Sequence, residues 1–285
     1  MNGPRLSRAT RKLAGHALLN AFFIVTCIIV MIPILYAVSV SFNGQNSLLS
    51  SDFSFIPRDL TLKNYIAVFT EKPVLLWLGN SLFMAITVVF VSLAVAIPAA
   101  YAFSRRKFPG RGPILNLLLL LYSFPSVLSM FALYKLLRTL GLMNTKLGLI
   151  VVYVGTMAVF ALWNLKGYFD TIPVEIEEAA AMDGANSFQL VTRIVLPLAK
   201  PSIIVTAVMV LIFVWNEYIF SITFLTGEQN FTLAAGLYSL QATEMSGSWP
   251  IFAAASLVVS LPILIIFFLV QRNMSAGLTA GGVKG

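Results

Sequence analysis

The polar chemistry of this chain is concentrated in three places. Glu175, Glu177, Glu178 and Asp183 crowd into one short stretch, followed by Gly184 and, further on, Ile194-Val195-Leu196-Pro197. Trp215-Asn216-Glu217-Tyr218 sets a carboxylate inside an apolar run, with no Lys or Arg between Pro201 and Gln271 to neutralise it. A third, milder group is Phe231, Thr232, Leu233, Gly236 and Tyr238. None of these is a catalytic set. The only histidine, His16, adjoins an apolar run and the only cysteine, Cys27, lies inside one, which leaves no metal centre and no His-based catalysis. No G-x-x-x-x-G-K-[ST] phosphate-binding loop is present either.

The elements that must position these residues follow from composition. Of 285 residues, 59% are hydrophobic and 11% charged, whereas a soluble domain is about half apolar and a quarter charged. So much apolar surface needs lipid as its solvent, and the chain reads as an all-α integral membrane protein. A spanning helix takes about 20 apolar residues, and six segments qualify: Leu18–Ser41, Leu78–Phe103, Ile114–Leu137, Leu147–Trp163, Ser202–Phe224 and Ile251–Val270. Pro33, Pro98, Pro125 and Pro262 fall inside them and are expected to kink the spans without breaking them. The first run is too long for a signal-peptide core and has no A-x-A site, so it is expected to stay as a helix.

The net charge of +8 could suggest nucleic acid, but the basic residues are scattered through short links between spans. Thirteen of the 19 Lys and Arg fall in the N-tail, the second and fourth links and the C-tail, and six on the other side. The positive-inside rule then predicts both termini in the cytoplasm. The resulting plan is a cytoplasmic tail over 1–17, a transmembrane region over 18–271 with external loops 42–77 and 225–250 and a cytoplasmic loop 164–201, and a C-tail over 272–285.

That cytoplasmic loop reads as two short helices at a bend. Thr171-Ile172-Pro173 is a helix start, Glu175, Glu177 and Glu178 suit the positive end of the helix dipole, and Ala179-Ala180-Ala181 continue it. Gly184 is a natural stop in a left-handed conformation. Asn186 and Gln189 form a capping-box pattern for a second helix ending before Pro197. The small-residue stripe admits a close neighbour, and the carboxylate beside it offers a charge-assisted hydrogen bond to a partner's Arg or Lys. Physically this is a docking element; an amphipathic link lying on the bilayer is the plainer alternative.

Glu178-Ala179-Ala180, three residues, Gly184, nine residues, then Ile194-Val195-Leu196-Pro197 resembles the EAA loop of ABC importer permeases at every fixed position. Tyr101-Ala102-Phe103-Ser104-Arg105 with Phe108-Pro109-Gly110, Lys166-Gly167-Tyr168-Phe169 and the tail from Gly277 to Gly285 resemble the carbohydrate branch, specifically the smaller permease subunit of maltose and maltodextrin importers. The resemblance implies a type I importer permease fold with a two-helix coupling loop in a bacterial plasma membrane. It implies no enzyme and no cofactor in this chain: ATP and magnesium would sit on two cytoplasmic ATPase subunits. A second, different permease and an extracytoplasmic sugar-binding protein complete the implied partners, alongside the lipid bilayer.

Under that resemblance, Glu178, Ala179, Ala180, Asp183, Gly184, Ile194, Leu196 and Pro197 would couple to the ATPase. Trp215, Asn216, Glu217 and Tyr218, with Tyr122 and Ser123, are candidates for the sugar path, since aromatic rings stack on sugars while Asn and Glu bond hydroxyls; the alternative for Glu217 is a place near the outer interface paired with the neighbouring subunit, and for Tyr122 and Ser123 ordinary helix packing. Phe231, Thr232, Leu233, Gly236 and Tyr238 would face the binding protein, unless that segment simply lies on the membrane surface. A secondary transporter or channel working without ATPase partners would instead show a repeat of broken helices around an ion site, and no such repeat is legible.

Overall fold

The computed structural model describes residues 8–44, 59–243 and 249–280. The expectations that fall on 1–7, 45–58, 244–248 and 281–285 lie outside the described residues. Those described are helical, apart from short connections and one isolated bridge between Asn43 and Leu60. The helices are α1 (Arg8–Ser41), α2 (Lys63–Thr70), α3 (Val74–Arg105), α4 (Arg111–Ser123), α5 (Met130–Thr139), α6 (Lys146–Phe169), α7 (Val174–Met182), α8 (Ser187–Gln189), α9 (Leu196–Asn216), α10 (Ile219–Phe224), α11 (Leu233–Thr243) and α12 (Trp249–Ala280).

Five stretches are long and apolar enough to cross a membrane: Gly15–Ser41, Val74–Arg105, Lys146–Phe169, Ser187–Asn216 and Trp249–Gln271. The sixth expected span is not continuous. Ile114–Leu137 is divided into α4 and α5, bent by 88°. The break is at Phe124-Pro125: Phe124 is extended (φ −70°, ψ 132°), as a residue before proline tends to be, and a 3₁₀ turn follows over Ser126–Ser129. Pro33, Pro98 and Pro262, by contrast, lie within unbroken helices.

The fifth span also differs from expectation at both ends. It stops at Asn216 rather than Phe224, because Glu217 is extended (φ −73°, ψ 119°), and a separate α10 follows. At its other end no short helix closes before Pro197. The chain runs from the Asn186 cap through a π-helical turn, Leu190–Val195, straight into α9. Proline lacks the N–H that an α-helical ladder requires, and the wider π turn falls just ahead of it.

The chain divides into two compact units. In the first, residues 15–35 of α1 are exposed all round, as suits a helix solvated by lipid. Where α1 ends, Asn64 of α2 is buried and donates from Nδ2 to the carbonyls of Ser41 and Asn43, both at 2.9 Å. Ser41 Oγ and the Tyr65 hydroxyl lie 2.8 Å apart.

The second unit, 73–239 and 259–285, is built on α3, α6 and α9, which pack on one another. One apolar cluster joins Met84 and Val88 to Leu149, Tyr153, Val210, Val214, Phe220 and Phe224. Toward the α7 end, a second cluster is made of small residues, Ala96, Ala100, Ala161 and Ala199, around Leu165, Phe169 and Val195. Small side chains let helix backbones approach where lipid supplies no hydrophobic drive. Asn164 adds an inter-helix hydrogen bond to Thr206 at 2.9 Å.

At the opposite end of α3 the tightest contact is Gly236 against the indole of Trp77. A Cβ on residue 236 would lie 2.1 Å from the ring. Gly236→Ala is therefore expected to destabilise the protein by about 1–3 kcal/mol, read as a lower thermal midpoint in detergent, whereas the same change at Gly155, where a Cβ meets nothing within 4 Å, should be tolerated.

Candidate functional site

The acidic segment becomes α7, with Pro173 at its N-cap and Gly184 two residues past its end. Gly184 has φ +91°, and a Cβ there would meet nothing within 4 Å. Its constraint is thus the backbone conformation alone, which disfavours any side chain. Asn186 and Gln189 make the reciprocal capping box, at 3.0 and 2.9 Å. Between α7 and the chain that follows lies an open cleft of about 400 Å³, lined by Ala180, Asp183, Gly184, Ala185, Gln189, Arg193 and Ile194. Glu178, Ala179 and Pro197 are exposed and Leu196 is half-buried. Two apolar side chains that sequence reasoning did not single out are bare, each next in sequence to a residue that lines the cleft: Met182 at 89% and Phe188 at 76% exposure.

The carboxylate that anchors α7 is Glu177, at 6% exposure, while its neighbour Glu178 faces outward. Arg105, the last residue of α3, donates from Nε to Glu177 Oε1 at 2.6 Å, and the Tyr101 hydroxyl donates to Oε2 at 2.9 Å. The remaining guanidinium nitrogens donate to Ser104 Oγ at 3.0 Å and to the Ile172 carbonyl at 2.9 Å. Every polar group of this buried pair is thereby used. Removing one partner from such a pair costs about 3–5 kcal/mol, because the other charge is left buried alone. No local spacing revealed the pair, since Glu177 and Arg105 are 72 residues apart.

A second, more exposed knot stands beside it. Asp170, which caps α6, accepts from Ser104 Oγ and Lys166 Nζ, both at 2.6 Å. Burial alone would raise its pKa, but the bonds from Lys166 and Ser104 and the charges of Lys166 and Arg111 hold it below the usual aspartate value.

Glu217 sits at the α9–α10 break. The Tyr153 hydroxyl of α6 donates to its Oε2, and the Phe220 N–H donates to its Oε1 at 3.0 Å. The carboxylate thus satisfies the first turn of α10 and ties it to α6, a role inside this chain. Trp215 is 4% exposed and offers no open face to a sugar, contrary to expectation. Asn216 is exposed and its amide donates to Ile212 O at 2.8 Å. Tyr218 stacks on Tyr238, ring centroids 5.2 Å apart, and both side chains are partly exposed. Tyr122 and Ser123 are exposed at the α4–α5 break; Ser123 Oγ donates to Leu119 O at 2.8 Å.

The third group is mostly inward-facing in this chain, with Tyr238 left open to a neighbour. Thr232 and Leu233 are buried and Phe231 half-buried; only Tyr238 is exposed. The reason is that this segment's backbone is satisfied by α3. Trp77 Nε1 donates to Glu228 O at 2.8 Å, and Asn80 Nδ2 to Gln229 O at 3.0 Å and Phe231 O at 2.9 Å. Ser81 Oγ accepts the Leu233 N–H at 2.8 Å. Among the described residues, no group of three or more His, Cys, Asp or Glu could hold a metal ion.

Comparison with known proteins places this geometry. Residues 92–278 match the family model described as binding-protein-dependent transport system inner membrane component. The chain is 38% identical over 280 residues to the inner membrane ABC transporter permease protein YcjP of Escherichia coli, covering 98% of each. It is 37% identical to the galactooligosaccharides transport system permease protein GanQ of Bacillus subtilis, over 99% of this chain and 98% of that one. It is 36% identical to the maltose/maltodextrin transport system permease protein MalG of Escherichia coli, over 98% of each. In fold it superposes on a chain of a bacterial ABC transporter involved in the import of the acidic polysaccharide alginate, with TM-score 0.76 and 24% identity, over 95% of this chain and 99% of that one.

The Asp170 knot makes a prediction about pH. A carboxylate with a depressed folded-state pKa contributes stability that is present above the ordinary aspartate range, near about pH 4, and is lost as pH falls through the folded value. Asp170→Asn should therefore flatten the acid limb of the thermal-stability profile and lower the plateau at neutral pH. An unchanged acid limb would show that the knot does not contribute.

Proposed function

The chain belongs to the family of binding-protein-dependent transport system inner membrane components, and we propose that it is the membrane-spanning permease subunit of an ATP-driven importer for an oligosaccharide. It is a transport component, not an enzyme. Maltodextrins or similar short glucans are the proposed cargo, with galactooligosaccharides the nearest alternative. Two of the relatives are permeases for those two sugar classes.

The observation that carries this reading is α7. A short helix with an exposed small-residue face, an open cleft and two bare apolar side chains is fixed to the spanning bundle by a buried ion pair. A surface so displayed and so firmly held suits docking of the ATPase subunits, which would carry ATP and magnesium. A standalone secondary transporter would have no use for it.

The α4–α5 break supports a second permease. It lies about 20 Å along the helix from Arg111, at 1.5 Å per residue, and residues 121–128 are all exposed in the isolated chain. Irregular backbone at membrane depth is not tolerated against lipid, only against protein or a water-filled path. A different permease facing this break, with the sugar path between the two chains and Asn216, Tyr218 and Tyr122 on this side of it, meets that requirement. The distribution of basic residues supports the orientation proposed for the chain, with both termini in the cytoplasm and the segment around Tyr238 outside, where it would face an extracytoplasmic sugar-binding protein.

The test is recovery of the ATPase with the detergent-extracted permease. Glu178→Lys reverses an exposed charge on the docking face without touching the Glu177 anchor, so insertion should persist while co-purification falls. Full recovery together with normal sugar-stimulated ATP hydrolysis would contradict the docking role. Uptake of maltodextrins against galactooligosaccharides by the intact complex decides the cargo.

A further inference from the structure

Helix α3 is fastened at both of its ends, and to different things. At one end, Tyr101 and Arg105 hold Glu177 of α7, and Ser104 holds Asp170. At the other, Trp77, Asn80 and Ser81 hold the backbone of Glu228–Leu233, and Trp77 carries Gly236 on its ring face. Asn80 is itself fixed, because Lys146 Nζ donates to its Oδ1 at 2.5 Å. Between the two ends, Met84, Val88, Ser92, Ala96 and Ala100 recur at four-residue spacing, all at 0% exposure, so one face of the helix is packed along its length. From Ser81 to Arg105 the helix runs about 36 Å, the thickness of a bilayer core with some margin.

A second physical route joins the same two regions, by way of Ser221, whose Oγ lies 2.9 Å from Thr232 Oγ1, then α10, α9 and the start of that span. That route is interrupted twice, at the Glu217 break and at the π turn Leu190–Val195. The α3 route is one unbroken helix, with Pro98 on its exposed side. Of two routes in parallel, the stiffer carries the displacement.

We propose that α3 is a strut in series between the Glu228–Tyr238 segment and α7, with Asn80 and Arg105 as its positioning residues, so that docking of the binding protein at one end is transmitted through α3 to the ATPase at the other. The proposal rests on the permease reading above and adds the route of transmission.

The experiment is a double-mutant cycle on the assembled complex of this chain with its second permease, ATPase and solute-binding protein. The readout is the ratio of binding-protein-stimulated to basal ATP hydrolysis. Asn80→Leu removes the donors at one end, and Arg105→Lys keeps the charge at the other but loses the fork. Each should lower the ratio by about five-fold or more. Because the fastenings act in series, the double variant should be no worse than the poorer single one. Trp77→Phe, which keeps the ring against Gly236 but loses the bond to Glu228, gives the same test if Asn80→Leu does not assemble. Ser221→Ala, on the interrupted route, should keep the parental ratio. Losses that multiply in the double variant, single variants with the parental ratio, or a loss at Ser221 as large as at Asn80 would each overturn the strut. A parental complex showing no stimulation at all would instead overturn the permease reading, and the strut with it.

Discussion

The buried pair of Arg105 and Glu177 is the constraint on which the displayed surface depends. An isolated helix of nine residues is unstable in water, and α7 has little else to hold it: most of its residues are exposed. Two oxygens of one carboxylate, met by a guanidinium and a phenol from α3, give it a fixed place and orientation. Desolvating two charges is costly, and such a pair adds little net stability over an apolar substitute. What it supplies is position. The docking face can be small and exposed because the fastening is elsewhere, one residue away in sequence and on the other side of the helix.

The same logic recurs wherever the bundle departs from regular helix. In lipid, every backbone polar group has to be met from within the protein. The α9–α10 break is met by Glu217, which accepts the Phe220 N–H while Tyr153 holds it from α6. The carbonyls of Glu228, Gln229 and Phe231 are met by Trp77 and Asn80. A polar residue in an apolar run is therefore not by itself a mark of the transported ligand. Glu217 and Asn80 are both polar and within or beside spans, and both serve the backbone of their own chain.

Much of this was legible in the sequence, for reasons that can be stated. Long apolar runs, the bend at Gly184 and the Asn186–Gln189 box are local signals, and the structure carries each of them. What sequence reasoning missed is non-local or arises from competition. Glu177 and Glu178 are adjacent and chemically identical, and only a partner 72 positions away distinguishes the anchor from the exposed face. Pro125 and Pro98 both sit in apolar runs, yet Pro125 breaks its span and Pro98 does not. The two differ in their packing within this chain: beside Pro98, Ala96 and Ala100 pack with Ala161, Leu165 and Ala199, whereas residues 121–128 around Pro125 are exposed. Thr232 and Leu233 read as loop residues because the groups that hold this segment inward belong to α3, where Asn80 donates to the Phe231 carbonyl and Ser81 Oγ accepts the Leu233 N–H.

The most direct test of the central claim needs no partner protein. Amide hydrogen exchange across Val174–Met182 can be compared between the parental chain and Glu177→Gln, which keeps the shape of the side chain and removes its charge. If the ion pair holds α7, exchange in that helix should accelerate by about ten-fold or more, corresponding to the loss of over 1.4 kcal/mol of local protection, while amides in the middle of α3 and α6 keep theirs. Unchanged protection across α7 would contradict the account, because the helix would then be held by contacts other than its buried carboxylate.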